Sequence, residues 1–202
     1  MQDAGTAKQI ARWVALGALF LIPFTPLIVA SSFFFPFITG KAFFFRILVE
    51  IAVVAWAVLA LLDKEYRPRF SIIGAAVIAF VAWMFIADAS ALNASKAFWS
   101  NFERMEGWVL LVHLLGFFVV AGAVLRAEKK WRVWFLASLG VSALISLYAL
   151  AQLLPIIPST NGFGIVFWNS LPIHQGSTRI DASLGNSAYL AVYLLFNVFI
   201  AL

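Results

Sequence analysis

Apolar residues in this chain come in long runs rather than on alternate positions or along one helical stripe. Trp13–Phe35, Ala42–Leu62, Phe70–Ala87, Trp108–Leu125, Val133–Leu154 and Ser187–Leu202 are each almost uninterrupted. Most approach the roughly 20 residues that cross a bilayer as a helix. Polar stretches separate them: Asp63–Arg69, Asp88–Gly107, Arg126–Arg132 and the long Pro155–Asn186. This pattern predicts an all-α, polytopic transmembrane helix bundle of about six spans. Pro23 and Pro26 should kink the first span. Pro155, Pro158 and Pro172 argue against one continuous helix through the long loop.

Composition strengthens that reading. Of 202 residues, 64% are hydrophobic and 11% charged, against about a quarter charged in a soluble domain. With no cysteine in the chain, disulfides and thiolate metal sites are excluded. The net charge of +5 is a topology signal here and gives no reason to expect nucleic acid as a partner. Lys8, Arg12, Lys64, Arg67, Arg69, Arg126, Lys129, Lys130 and Arg132 fall at the N-terminus and after spans two and four. The positive-inside bias makes that side cytoplasmic, the N-terminus included. The basic start and Val29-Ala-Ser31 also resemble a signal peptide with its cleavage site, but the run's length favours an uncleaved anchor. The chain stops inside an apolar run, so residues 1–202 are expected to be the N-terminal part of one multi-span membrane domain.

Five cations remain on the opposite side, where the bias should have removed them: Lys41, Arg46, Lys96, Arg104 and Arg179. Lys41 and Arg46 begin span two, and Arg46 is spaced to pair with Glu50 one turn deeper. Ionisable residues inside a span are costly and usually face a cavity or a partner. Phe98, Trp99, Phe102 and Met105 form an apolar stripe opposite Lys96, Asn101, Glu103 and Arg104, with Glu106 nearby. They predict a short interfacial helix in the second outward loop, capped by Ser95 and ended by Gly107. His113 reads as a buried hydrogen-bonding group. His174 lies in the long loop without a partner close in sequence. No zinc spacing, phosphate loop or nucleophile elbow occurs, and the residues call for neither cofactor nor metal. Arg179 precedes a turn in which Gly185 permits close backbone approach, and Asn186 or Ser187 caps the last span. An arginine beside free helix N–H groups suits an anion, unless Asp181 or a lipid headgroup takes that arginine.

Arg179-Ile-Asp-Ala-Ser-Leu-Gly-Asn-Ser-Ala-Tyr-Leu-Ala-Val-Tyr-Leu194 resembles a motif of the O-antigen ligase and polymerase superfamily of bacterial envelope enzymes. Phe35–Arg46 and Ser95–Gly107 also fit members of that family. Asn186-Ser-Ala stands where many members have Asn-Pro-Asn. The resemblance implies a bacterial inner-membrane enzyme that moves a glycan from a polyprenyl-pyrophosphate carrier to a glycan or lipid acceptor on the outer face. The alternatives within the superfamily are a polymerase or a protein O-oligosaccharyltransferase. It further implies that outward cations bind the donor pyrophosphate, here Arg179, Arg104, Lys41 and Arg46, supported by Glu50, Glu106, Asn186 and Asp181. The family's catalytic histidine lies in a large later periplasmic loop, so that role cannot be carried onto His113 or His174. Physically, fixed cations in a partly dehydrated pocket would stabilise the charge that grows on the leaving pyrophosphate. A different class of function, transport of an anionic lipid or solute without chemistry, would use the same cations to line a path.

Overall fold

The computed structural model describes residues 2–30, 32–101, 106–153 and 180–202. Among them the chain is all helical: α1 (Gln2–Leu21), α2 (Thr39–Leu62), α3 (Ile72–Ala89), α4 (Ala94–Trp99), α5 (Trp108–Val124), α6 (Glu128–Leu153) and α7 (Ser187–Ala201). Four stretches are long and apolar enough to cross a membrane: Gly5–Leu27, Thr39–Leu62, Ile72–Ala89 and Glu128–Gln152. Helices α5 and α7 are apolar but shorter, at 17 and 15 residues. The all-α class expected from the sequence is therefore observed among the described residues, and four of about six expected spans are long and apolar enough to cross a membrane.

The element boundaries differ from the expected spans in instructive ways. The first helix starts at Gln2, not Trp13, because the polar N-terminal residues continue the same helix. It ends at Leu21 and passes into a 3-10 turn, Ile22–Leu27, that contains both prolines. Proline lacks the N–H an α-helix needs and clashes with the preceding turn. Pro23 and Pro26 thus end the α-helix where a kink was expected. The basic Arg126–Arg132 stretch is also partly helical, since α6 begins at Glu128. Helix α4, where the sequence predicts an interfacial helix, is only six residues long, and Asn93, not Ser95, caps it by accepting from Lys96 N at 3.1 Å. It ends at Ser100, whose φ is 57°, rather than running on to Gly107.

The described chain forms two compact units, Met1–Ile22 with Phe45–Trp131, and Pro23–Phe44 with Arg132–Leu202. In the first, α1 buries Ala11, Ala15, Ala18 and Leu19, one face at helical spacing. Helix α2 buries Val49, Ala52 and Leu59, and α5 buries Val120, Ala121 and Val124. Gly116 of α5 lies so close to Val49 and Val53 that an added Cβ would meet them at 3.3 and 3.2 Å. Helix α3 is buried only at Val81, while Ile72, Ile73 and Trp83 are 82%, 71% and 69% exposed. Such a surface suits hydrocarbon and not water. Phe85 of α3, Phe98 of α4 and Trp108 of α5 form an aromatic trio with centroids 5.0–5.5 Å apart. Trp108 Nε1 donates to Val81 O at 3.1 Å.

In the second unit, Val141, Ile145 and Ala149 of α6 pack with Ala182 and Leu190. Ser138 of α6 donates to Asn197 Oδ1 of α7 at 3.2 Å, and Asn197 Nδ2 donates to Tyr193 O. Both ends of the buried Asn197 amide are thereby paired in an apolar setting that would otherwise penalise them.

Candidate functional site

Within the second unit, the turn that opens α7 is tied down from three directions. Ala182–Leu184 form a 3-10 turn, Gly185 adopts the left-handed conformation at φ 68°, and Asn186 caps α7 by accepting from Ala188 N at 2.8 Å. Ala182 is itself at positive φ, 47°, a conformation that costs an L-residue energy unless the surroundings hold it. Gln152 at the end of α6 supplies that hold. Its Oε1 accepts from Ala182 N at 2.9 Å and its Nε2 donates to Asp181 Oδ1 at 3.2 Å. Ser183 is completely buried, and its hydroxyl donates to Pro26 O at 2.8 Å.

Lys41 completes the arrangement. Its ammonium donates to Ile28 O at 2.7 Å, Phe37 O at 2.9 Å and Ser183 O at 2.6 Å. An ammonium has three N–H groups, so each is committed to a backbone carbonyl. Lys41 therefore holds the Ile28–Phe37 stretch and the Ser183 turn together. Its charge reaches any anion at that turn through space, and direct donation would require displacing one carbonyl. Phe37 packs against Gly185, where an added Cβ would collide with its ring. Asp181, considered as a partner for Arg179, accepts from Gln152. Arg179 and His174 lie outside the described residues, as do Glu103 and Arg104.

The first unit holds a separate constellation. Glu50 is the twelfth of the 24 residues of α2, about 17 Å along its axis from Thr39. Its Oε1 lies 3.1 Å from His113 Nε2 of α5. The sequence spacing offered Arg46 as the partner for Glu50, and the fold adds a histidine 63 residues away. Arg46 is buried on the preceding turn, and the carboxylates of Glu50 and Glu106 both act on its charge. His113 Nδ1 lies 2.7 Å from Val109 O. A carbonyl only accepts, so Nδ1 carries a hydrogen. Nε2 and Oε1 can then be in contact only with a proton between them, as imidazolium with carboxylate or as imidazole with carboxylic acid. His113 is partly buried at 15% side-chain exposure, whereas Glu50 is 65% exposed and borders an apolar groove between α1 and α2.

Of the residues singled out in the sequence, the structure joins Lys41 to the turn containing Asp181 and Asn186, and Glu50 to His113. Sequence reasoning missed Gln152, Ser183 and the Glu50–His113 contact. Gln152 carried a visible signal, a lone amide at the end of an apolar run. The other two depend on contacts between distant segments and had none. No protein-family model matches the chain, and no curated protein or solved structure matches it either.

Proposed function

We propose that this chain is part of a membrane glycosyltransferase of the O-antigen ligase type. In this reading it transfers a glycan from a polyprenyl-pyrophosphate carrier to an acceptor at the outer face of a bacterial inner membrane. One observation carries the reading beyond resemblance. Parts of two of the resembling stretches, residues 35–44 and 180–194, meet in one unit through the 2.6 Å bond from Lys41 to Ser183 and the packing of Phe37 on Gly185. Residues that the fold binds together are those expected to build one site.

The N-terminus is cytoplasmic in this proposal, α5 and α7 are the two shorter spans of six, and the turn before α7 faces outward. Arg179 and Arg104 contact the donor pyrophosphate, and Lys41 contributes field while fixing the turn. As the glycosidic bond breaks, the electron pair stays with the pyrophosphate oxygen, and these cations stabilise the growing charge. The acceptor is a glycan or lipid hydroxyl, with polymerisation or protein glycosylation as variants of the same chemistry. The test is Arg179→Ala in the full-length protein. Glycan transfer should be lost with the membrane level unchanged, and full transfer by that variant would sink the reading.

A second reading, transport of an anionic lipid or solute, is favoured by one specific feature. Glu50 and His113 place a proton-holding pair midway along an apolar span, where ionisable groups commonly serve proton relays. Uptake of a labelled anionic lipid without any glycan product would favour it.

A further inference from the structure

The start of α3 and the end of α5 face one another. There they enclose a cavity of about 1020 Å³ that also reaches the loops before α3 and after α5. Its walls are apolar, with Phe70 and Ile78 on one side and Phe118 on the other, and Arg69 and Arg126 stand in its lining. Arg69 lies just before the α3 cap, Ser71, and Arg126 just after the α5 cap, Leu125. The two helices run antiparallel, so both arginines sit at the same end, where lipid phosphates meet the hydrocarbon region. The hollow exists because its floor is small. Gly74 and Gly122 line it, and a Cβ built on Gly122 meets nothing within 4 Å.

The charges are available for a ligand. Arg69 makes no hydrogen bond or ion pair among the described residues. Arg126 uses Nη2 on Arg67 O at 2.9 Å, and an arginine fork has five N–H donors in all. No acidic side chain lines the cavity. An apolar slot open toward lipid with two arginines at its mouth has the form of a diacyl lipid with an anionic phosphate.

We propose that the α3–α5 groove binds one anionic phospholipid, its phosphate held by Arg69 and Arg126 and an acyl chain lying over Gly74 and Gly122. This site lies apart from the Lys41 turn and does not depend on glycan transfer. Guanidinium groups bind phosphate through paired N–H donors, and the apolar wall favours a chain over a free ion. Zwitterionic phosphatidylcholine offers the same chains but neutralises its own phosphate, so it should compete poorly.

The full chain, extracted from vesicles of equal phosphatidylglycerol and phosphatidylcholine, would be examined by native mass spectrometry. Retained phosphatidylglycerol should exceed phosphatidylcholine by about thirtyfold, the factor expected for two interfacial arginines. The double variant Arg69→Gln with Arg126→Gln should abolish that preference. Gly122→Leu should reduce bound lipid at unchanged thermal midpoint, since its side chain enters open space and leucine favours helix. That variant carries the test even where the arginine variant folds poorly. Equal retention of both lipids by the wild-type chain would overturn the proposal. So would a preference that survives loss of both arginines, or lipid binding untouched by Gly122→Leu.

Discussion

Lys41 and Ser183, 142 residues apart in sequence, are joined by a 2.6 Å hydrogen bond from the ammonium to the Ser183 carbonyl oxygen. The same ammonium satisfies Ile28 O and Phe37 O. Replacing Lys41 by Met keeps the length of the side chain but leaves three carbonyls without this donor. An unmet buried acceptor costs about 1–3 kcal/mol. Lys41→Met should therefore lower stability by roughly 2–4 kcal/mol, read as a fall in thermal midpoint in detergent. A midpoint equal to wild type would mean that the carbonyls do not depend on Lys41.

Gly185 faces two separate constraints, its φ of 68° and the Phe37 ring. Gly185→Ala should cost about 1 kcal/mol for the backbone alone, and more for the collision. A double-mutant cycle separates them. In a Phe37→Gly background, which removes the Cβ as well as the ring from the path of the added Cβ, the glycine substitution should cost only the backbone part. Equal costs in both backgrounds would mean that the ring yields freely.

These two relationships also show what the sequence could disclose. Runs of apolar residues dictate helices and their approximate ends, because a buried backbone must satisfy itself. Asn186 was legible as a cap, since an Asx side chain before a helical run meets its free N–H groups. Lys41 was legible as a cation out of place for the topology, though not as a staple. Which carbonyls surround it depends on how the Ile28–Phe37 stretch and the Ser183 turn fold. Proline chemistry moved the end of α1 from Phe35 to Leu21, an effect the hydrophobic pattern alone overrode. Glu50 has a charge partner at helical spacing in Arg46, and the fold adds a distant contact in His113 that no local pattern announces.

Asp63, just beyond α2, accepts from Lys8 Nζ at 2.7 Å and from Glu65 N at 2.8 Å. The Lys8 hydrogen bond, then the Glu65 N–H, hold its carboxyl below the ordinary value of 3.8. A carboxyl that ionises more readily when folded adds stability above its unfolded value, and that increment is lost as pH falls through the folded one. The stability difference between wild type and Asp63→Asn should thus be constant at neutral pH and disappear on acidification below about pH 4. Because the pair is at the surface, added salt should shrink the difference. A difference that grows on acidification would contradict this assignment.

The Glu50–His113 contact makes a sharper demand, because it sits where neither water nor a second charge comes cheaply. Glu50→Gln replaces the carboxyl by an amide whose N–H can donate to His113 Nε2, so the contact survives without a shared proton. Glu50→Ala leaves Nε2 with no partner, and His113→Ala leaves the Glu50 carboxyl with none from α5. The alanine variants should each lose about 1–3 kcal/mol, whereas Glu50→Gln should stay near wild type. If the two side chains act as a pair, the double alanine variant will be more stable than the sum of the single losses implies, with a coupling of at least about 0.5 kcal/mol. Strict additivity in denaturation would show that the 3.1 Å contact carries no energy. Glu50 would then owe its place in α2 to whatever lies across the apolar groove it borders.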